Sequence, residues 1–407
     1  MKQFTQSLWK AWPSLCMCGL VALIALAMIS CAEKEAPKEQ FTITLATLDW
    51  PALEEALPAL TKEYADAHPD LSIQVKIPFT TVDQFLADPG SAMADTDVLL
   101  FPSTALKALE AQAHSFYPIT DIGFTPSPSF ASLFTSSTGY WAVPLILDPL
   151  VCLVKAEAMQ SLGESTIPAD WSSVRLASNA LLDSGSTLPH IYFYPQTDQS
   201  LADSIAALQF AFGYRKTTLQ GMPELNFIDQ ELFEKGLARS NSALKSYMTQ
   251  DAELTALPLV QSVSEFIASP SGLMTFARLS TYLELSAEDQ AKLLAGAVPT
   301  AEQTVLPSYA LAAGIPLESK NPSLAEAFIH FLIVKTQTIA KNTGTLATPN
   351  PLDNTPVSFP DSTLFLLRTN PNYIDTPKAL NLLNDKTPVM EANQAWEAGY
   401  FIPSATP

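Results

Sequence analysis

The strongest constraint on the fold is a change of hydrophobic period near the start of the chain. Phe41 to Thr47 alternates loosely and is rich in residues that favour strands. Asp49-Trp50-Pro51 interrupts it, after which Leu53, Leu57, Leu60 and Tyr64 recur at the spacing of one helix face. Pro51 suits a first helical turn, where a missing N–H costs nothing. The helical spacing stops around His68-Pro69-Asp70, and Leu71, Ile73, Val75 and Ile77 alternate again. Strand, helix, strand implies two parallel strands joined by a crossover rather than a hairpin. A third strand is expected at Thr96 to Phe101, with Ser103 capping a helix from Thr104 to Gln112. The chain thus opens as an α/β unit of repeated βα steps.

At 407 residues, with 47% apolar residues, the chain exceeds what one core usually holds, and two lobes are expected. Gly139 to Pro149 and Leu150 to Lys155 read as two extended runs separated by Asp148 and Pro149, a strand able to cross between lobes. Ser161 to Trp171 reads as a loop leading into a helix. Ser200 to Gly213 and Asp229 to Met248 carry helical spacing, and His190 to Tyr194 reads as a short aromatic strand. Val305 to Pro316 is apolar and extended. Ser323 and Glu326 form a capping box for a helix with Leu324, Phe328, Phe331 or Leu332, and Ile339 on one face, and Gly344 suits the left-handed position after its end. The tail from Leu346 is rich in proline, yet Phe365, Leu366, Tyr373, Trp396 and Tyr400 suggest packing.

The N-terminus reads as an export signal. Lys2 and Lys10 precede an uncharged stretch from Ala11 to Ser30 that is densest in apolar residues from Leu20 to Ile29. It ends in Met28-Ile29-Ser30-Cys31, which resembles the bacterial lipobox, and that resemblance implies a diacylated Cys31 followed by a polar tether to Gln40. The competing reading is an uncleaved membrane anchor; both readings put the body outside the cytoplasmic membrane. Cys16 and Cys18 fall in the leader, leaving Cys152 as a buried inert thiol and no disulfide framework. Without the first thirty residues the balance is 20 basic against 41 acidic side chains, about −21, which repels phosphate backbones and disfavours nucleic acid.

Catalytic patterns are wanting: no Gly-x-Ser-x-Gly, His-Glu-x-x-His, phosphate loop or Gly-x-Gly-x-x-Gly occurs. Asp183-Ser184-Gly185-Ser186 looks like half of an aspartic-protease pair, but Asn342-Thr343-Gly344-Thr345 lacks the second acid. His68, His114, His190 and His330 lie far apart without acids at ligand spacing, so neither metal nor cofactor is expected.

Several segments, in order, resemble the extracellular solute-binding proteins of ABC transporters, the sugar-binding group that includes maltose-binding protein. They are Tyr64 to Ile73, Asp95-Thr96-Asp97-Val98-Leu99, Tyr140 to Lys155, Gly163 to Trp171, and Ala310 to Gly344 with its Ser319-Lys320-Asn321-Pro322. The resemblance implies an α/β, two-lobed periplasmic-binding-protein-like fold, each lobe a mainly parallel sheet flanked by helices, joined by crossing hinge strands. After a signal peptide (1–30) and tether (31–40), one lobe would comprise 41–147 and 305–345 and the other 148–304 and 346–407. It also implies a monomeric, lipid-anchored receptor that closes on a small polar solute, a saccharide, and delivers it to ABC permease subunits.

Sugar binding needs carboxylates or amides for paired hydroxyls and aromatic planes for ring faces. Ligands of open α/β sheets sit beyond the carboxyl ends of strands, which selects Asp49, Trp50 and Ser103. The resemblance places a sugar-binding acid at Asp148 and contact residues at Arg278 and Tyr282. Tyr192 and Tyr194 alternate on a short strand, and Tyr309 lies on the returning strand. Plain structural alternatives are a helix cap for Asp49, a lobe-surface anchor on the first helix for Trp50, a turn for Asp148, a surface salt bridge for Arg278, and core packing for Tyr192, Tyr194 and Tyr309. Competing functions are a receptor for a cationic solute such as a polyamine, suggested by the acidic body, and a structural or adhesive lipoprotein on the same fold. An esterase or protease is a more distant reading.

Overall fold

The computed structural model describes residues 38–47, 51–110, 112–124, 133–184, 203, 207, 217–219, 222–224, 262–269, 273–299, 304–348, 357, 359 and 363–366. The opening follows the hydrophobic period closely. Strand β1 (Glu39–Leu45) leads to helix α1 (Pro51–Ala67) and strand β2 (Leu71–Lys76), and β1 pairs in parallel with both β2 and β3 (Val98–Pro102). Central β1 is buried on both faces, Thr42 and Thr44 as well as Phe41, Ile43 and Leu45, which is how a parallel strand between two neighbours should look. Leu53, Leu57, Leu60 and Tyr64 of α1 all lie in the core. The alternation of β2 fades outward: it is the edge strand, with Leu71 buried but Val75 and Ile77 exposed.

Two long strands extend this sheet. Strand β4 (Val143–Lys155) is one continuous strand of 13 residues where two runs were expected. Beyond it come α2 (Trp171–Asp183), β5 (Met274–Arg278), α3 (Leu279–Leu283), β6 (Leu293–Gly296), β7 (Val298–Pro299) and β8 (Thr304–Gly314). Helix α4 (Pro322–Thr343), β9 (Leu346–Ala347) and β10 (Thr363–Leu366) follow. The sheet order is β6-β4-β8-β3-β1-β2, with β5 and β9 also on β4 and β7 and β10 also on β8. The sheet is mixed: β2-β1-β3 and β8-β10 are parallel, while β8 runs antiparallel to β3 and β4.

The two strands change partners at one place. Residues 143–148 of β4 pair with Tyr309–Ala313 of β8, but residues 150–155 pair with β5 and β6. In β8, Val305–Ser308 turn instead to β10. Asp148 is opposite Tyr309, and the next residues out are Pro149 and Ser308, then Pro307. Pro149, which has no N–H to give to a ladder, stands where the pairing of β4 passes from β8 to β5. The start of the tail packs as expected: Leu346–Ala347 pair with Ile146–Leu147, and Val357, Phe359, Leu364 and Leu366 are buried.

Two helix starts differ from the sequence reading. Ser103 begins a single 3-10 turn, Ser103–Ala105, ahead of a helix at Leu106–Glu110, and caps neither; its Oγ accepts the Ala310 N–H at 2.9 Å, tying β8 to the end of β3. The Ser323–Glu326 box does not open α4, because Pro322 already occupies the first turn and Asn321 the cap position. There the Asn321 N–H and Ser319 Oγ both donate to Asp97 Oδ1, whose other oxygen accepts the Thr42 N–H. The helix face is as expected, with Phe328, Leu332 and Ile339 buried, and Gly344 ends it in the left-handed conformation at φ 65°.

Candidate functional site

The parting of β4 and β8 gathers charge in the interior. Asp148 is 3% exposed at the middle of β4, and its carboxylate accepts the Ser280 N–H at 3.1 Å and the Ser280 hydroxyl at 2.6 Å. Ser280 is in α3, which follows directly on β5, and β5 is the partner of β4 just past Asp148. A strand that swaps neighbours at Pro149 thus has its last acid fastened to the element that its new neighbour carries. Arg278, the final residue of β5, donates from Nε to Asp203 Oδ2 at 3.0 Å and lays its guanidinium 4.1 Å over the Tyr309 ring. The Tyr309 hydroxyl donates to Asp203 Oδ1 at 2.5 Å.

Two carboxylates therefore face one guanidinium. Burial is the largest influence on Asp148 and pushes its carboxyl up to about 6, against the opposing pull of Arg278 and the two Ser280 bonds. Burial works against the Arg278 charge, but Asp203, Tyr309 and Asp148 outweigh it, so the guanidinium holds its proton more tightly than usual. Burial and then Asp203 lift the Tyr309 phenol well above its ordinary range. Arg278, whose side chain keeps 16% of its surface, and half-buried Ser280 are the most exposed members of the cluster; Asp148, Asp203 and Tyr309 are buried.

Of the sequence candidates, Asp148, Arg278 and Tyr309 come together here. Arg278 forms a buried ion pair, not a surface one. Asp148 sits within a strand and not in a turn, with both oxygens already engaged. Tyr282, two residues past Ser280, is buried in the apolar cluster that includes Phe266, Leu279 and Leu346. Ser103 is fully buried on the Ala310 N–H. Asp49, Trp50, Tyr192, Tyr194 and Cys31 lie outside the described residues, as do His190 to Tyr194 and Asp229 to Met248. Cys152 is buried in β4, and that burial raises its thiol pKa. Sequence reasoning missed Asp203 and Ser280. An acid within the apolar helical spacing of Ser200 to Gly213 was the available signal for Asp203; Ser280 offered none beyond its place next to Arg278.

Among the described residues no group of three or more His, Cys, Asp or Glu side chains could hold a metal, and no helix is long and apolar enough to cross a membrane. No protein-family model and no curated protein sequence matches the chain. Solved structures do. The bacterial solute receptor AcbH, described as having an exclusive preference for β-D-galactopyranose, superposes with a TM-score of 0.65 at 16% identity, over 89% of this chain and 98% of its own. An ABC transporter solute-binding protein of Thermotoga lettingae bound with α-D-tagatose gives 0.61 at 14% identity, over 89% and 99%. The cyclic α-maltosyl-1,6-maltose binding protein of Arthrobacter globiformis gives 0.60 at 14%, over 89% and 98%. At such identities the likeness speaks for architecture, and the architecture is plain: this chain has the two-lobed α/β fold of the sugar-binding proteins of ABC transporters.

Proposed function

We propose that the chain is the substrate-binding component of an ABC importer, which captures a small polar solute, a saccharide, between two lobes and carries no catalytic activity. The observation that carries the reading is the crossing itself. Both long strands exchange partners at Asp148 and Tyr309, so a rotation there moves one set of strands against the other while the backbone stays continuous. A solute touching both sides of such a crossing favours the closed arrangement by its differential affinity for it. The lobes would comprise 41–147 with 305–345 and 148–304 with 346–407, and Cys31 would carry the lipid that holds the receptor outside the cytoplasmic membrane near its permease. Within the site, Arg278 and Ser280 are the groups a solute would meet first, and Asp148, Asp203 and Tyr309 hold them in place. Asp49, Trp50, Tyr192 and Tyr194 remain candidates for further contacts.

Thermal unfolding in the presence of tagatose, galactose, maltose and spermidine tests the reading. A saccharide at about a hundred times its dissociation constant should add roughly 2.7 kcal/mol of apparent stability. Stabilisation by spermidine and by no sugar would replace the saccharide with a cationic solute. A second reading, a non-transport lipoprotein on the same fold, draws on the internal pairing of the cluster, where the oxygens of Asp148 and Asp203 are already engaged by Ser280, Arg278 and Tyr309. Failure of every solute to bind would favour it.

A further inference from the structure

We propose that Ser280 determines which hydrogen-bonding pattern a solute must present at the crossing, and that Asp148 is the positioning residue that decides which way the Ser280 hydroxyl points. The inference rests on the reading that a solute sits at the crossing, and goes beyond it to the chemistry of the contact. Its basis is an asymmetric pair: a carboxylate nearly sealed from solvent, and a half-buried serine whose O–H is spent on that carboxylate at 2.6 Å.

An ionised carboxylate can only accept hydrogen bonds. While Asp148 is ionised the Ser280 proton lies on the line to Oδ2, and the outward side of Oγ offers lone pairs. Ser280 then accepts from a solute hydroxyl, beside Arg278, which can only donate. When Asp148 takes up one proton from solvent on Oδ2, that proton lies between Oδ2 and Oγ, and Asp148 becomes the donor. The serine proton is then displaced outward, and Ser280 donates. The accessible face changes from one donor and one acceptor, matched to a sugar hydroxyl, to donors alone, matched to carbonyl, ether or carboxylate oxygens. The Ser280 N–H bond to Oδ1 persists in both states.

The charged groups acting on Asp148 are Arg278 at the end of β5, which favours its ionised form, and Asp203, which opposes it; Tyr309 of β8 is its cross-strand neighbour, and Ser280 of α3 supplies both hydrogen bonds. Burial outweighs the favourable contributions and brings the carboxyl to about 6, within the reach of ordinary acidification.

Two measurements on the full mature chain decide the matter. The first follows the Asp148 carboxyl carbon by NMR without any solute. Ser280→Ala removes both the charge-assisted bond to the ionised carboxylate and the weaker neutral bond that replaces it, so its midpoint should move up from wild type by the difference; an unmoved or lowered midpoint would mean that the hydroxyl does not prefer the ionised carboxylate, and overturns Asp148's control of its direction. The second is calorimetry with D-galactose and with maltose between about pH 5 and pH 8. Wild-type affinity for whichever sugar binds should change about three- to tenfold, the worth of one hydrogen bond, across the Asp148 titration. Ser280→Ala and Asp148→Asn should flatten that profile, and Ser280→Thr, which keeps the hydroxyl, should restore it. Asp148→Asn should sit near the low-pH value, because its amide donates to Oγ as the protonated acid would. A wild-type profile that survives Ser280→Ala sinks the specificity role. If neither sugar binds any variant, the sugar reading and the specificity role fall together, while the carboxyl titration still rules separately on the hydroxyl's reversal.

Discussion

The β2-β1-β3 region and the crossing of β4 with β8 are parts of one sheet held by different balances of force. The first is joined chiefly through oily contacts, with the Asp97 bonds fixing the start of α4. Phe41 meets Phe328 edge-on at 5.7 Å, Tyr64 meets Phe328 at 4.9 Å, and α4 closes over α1 through that aromatic cluster. The crossing is instead pinned by hydrogen bonds between residues 132, 75 and 106 positions apart: Ser280 with Asp148, Arg278 with Asp203, Tyr309 with Asp203. Burial of apolar area is non-directional and tolerates small shifts, whereas a buried polar network costs heavily when any member loses its partner. The first kind of bonding suits a rigid platform. The second suits a place where two strand sets must take up defined relative positions.

The comparison breaks first at Phe328. It is fully buried among Phe41, Tyr64 and Phe331, and Phe328→Ala removes the ring at the centre of that packing. The expected loss is about 3–5 kcal/mol, read as a lower urea midpoint with an unchanged slope. A loss below about 1 kcal/mol would mean that α4 is not held by this contact.

At the crossing, Arg278→Ala should cost about 3 kcal/mol by a different route, since it leaves the buried Asp203 charge without its cation. The sharper test pairs it with a second change. Replacing both partners by apolar residues, Arg278→Met with Asp203→Leu, should recover only part of the lost stability, because the Tyr309 hydroxyl loses its acceptor and Asp148 its cation, while weakening any sugar response. A double variant as unstable as the single one would show that the network is needed for folding itself.

The same division explains what could be read from the sequence. Leu53, Leu57, Leu60 and Tyr64, or Phe328 and Leu332, announce their burial through local spacing, because a helix face is fixed by neighbours three and four residues away. Gly344 was legible for a similar reason, its positive φ being a local demand, although its close approach to Ser280 was not: an added Cβ would come 3.1 Å from the Ser280 Cα. Asp148 could be singled out as an acid between apolar runs that must find a partner. Which partner it finds depends on where β5 and α3 return, a non-local outcome that no spacing encodes. The misplaced caps at Ser103 and Ser323 have the same origin. In each case a tertiary bond, Ala310 N–H to Ser103 Oγ and Asn321 N–H to Asp97, displaced the local motif.

The finest test of the contrast is the response to pH. An Asp carboxyl near 3.9 in the unfolded chain and near 6 in the folded one binds its proton more tightly when folded. Its contribution to stability is therefore fully present below about pH 3.9 and lost as pH rises through about 6. Exposed Asp95 and half-buried Asp289, whose carboxyls are held below their usual range first by hydrogen bonds from Lys320 and Lys292, act with the opposite sign, and solvent screens them. Wild-type stability alone mixes these contributions, so the informative quantity is the difference between Asp148→Asn and wild type. That difference should grow in favour of the variant by about 2–3 kcal/mol between roughly pH 4 and pH 8, because the amide never carries the buried charge. A difference that stays flat would mean that Asp148 is solvated at the crossing, and that this part of the sheet is no less open to water than the exposed edge at β2.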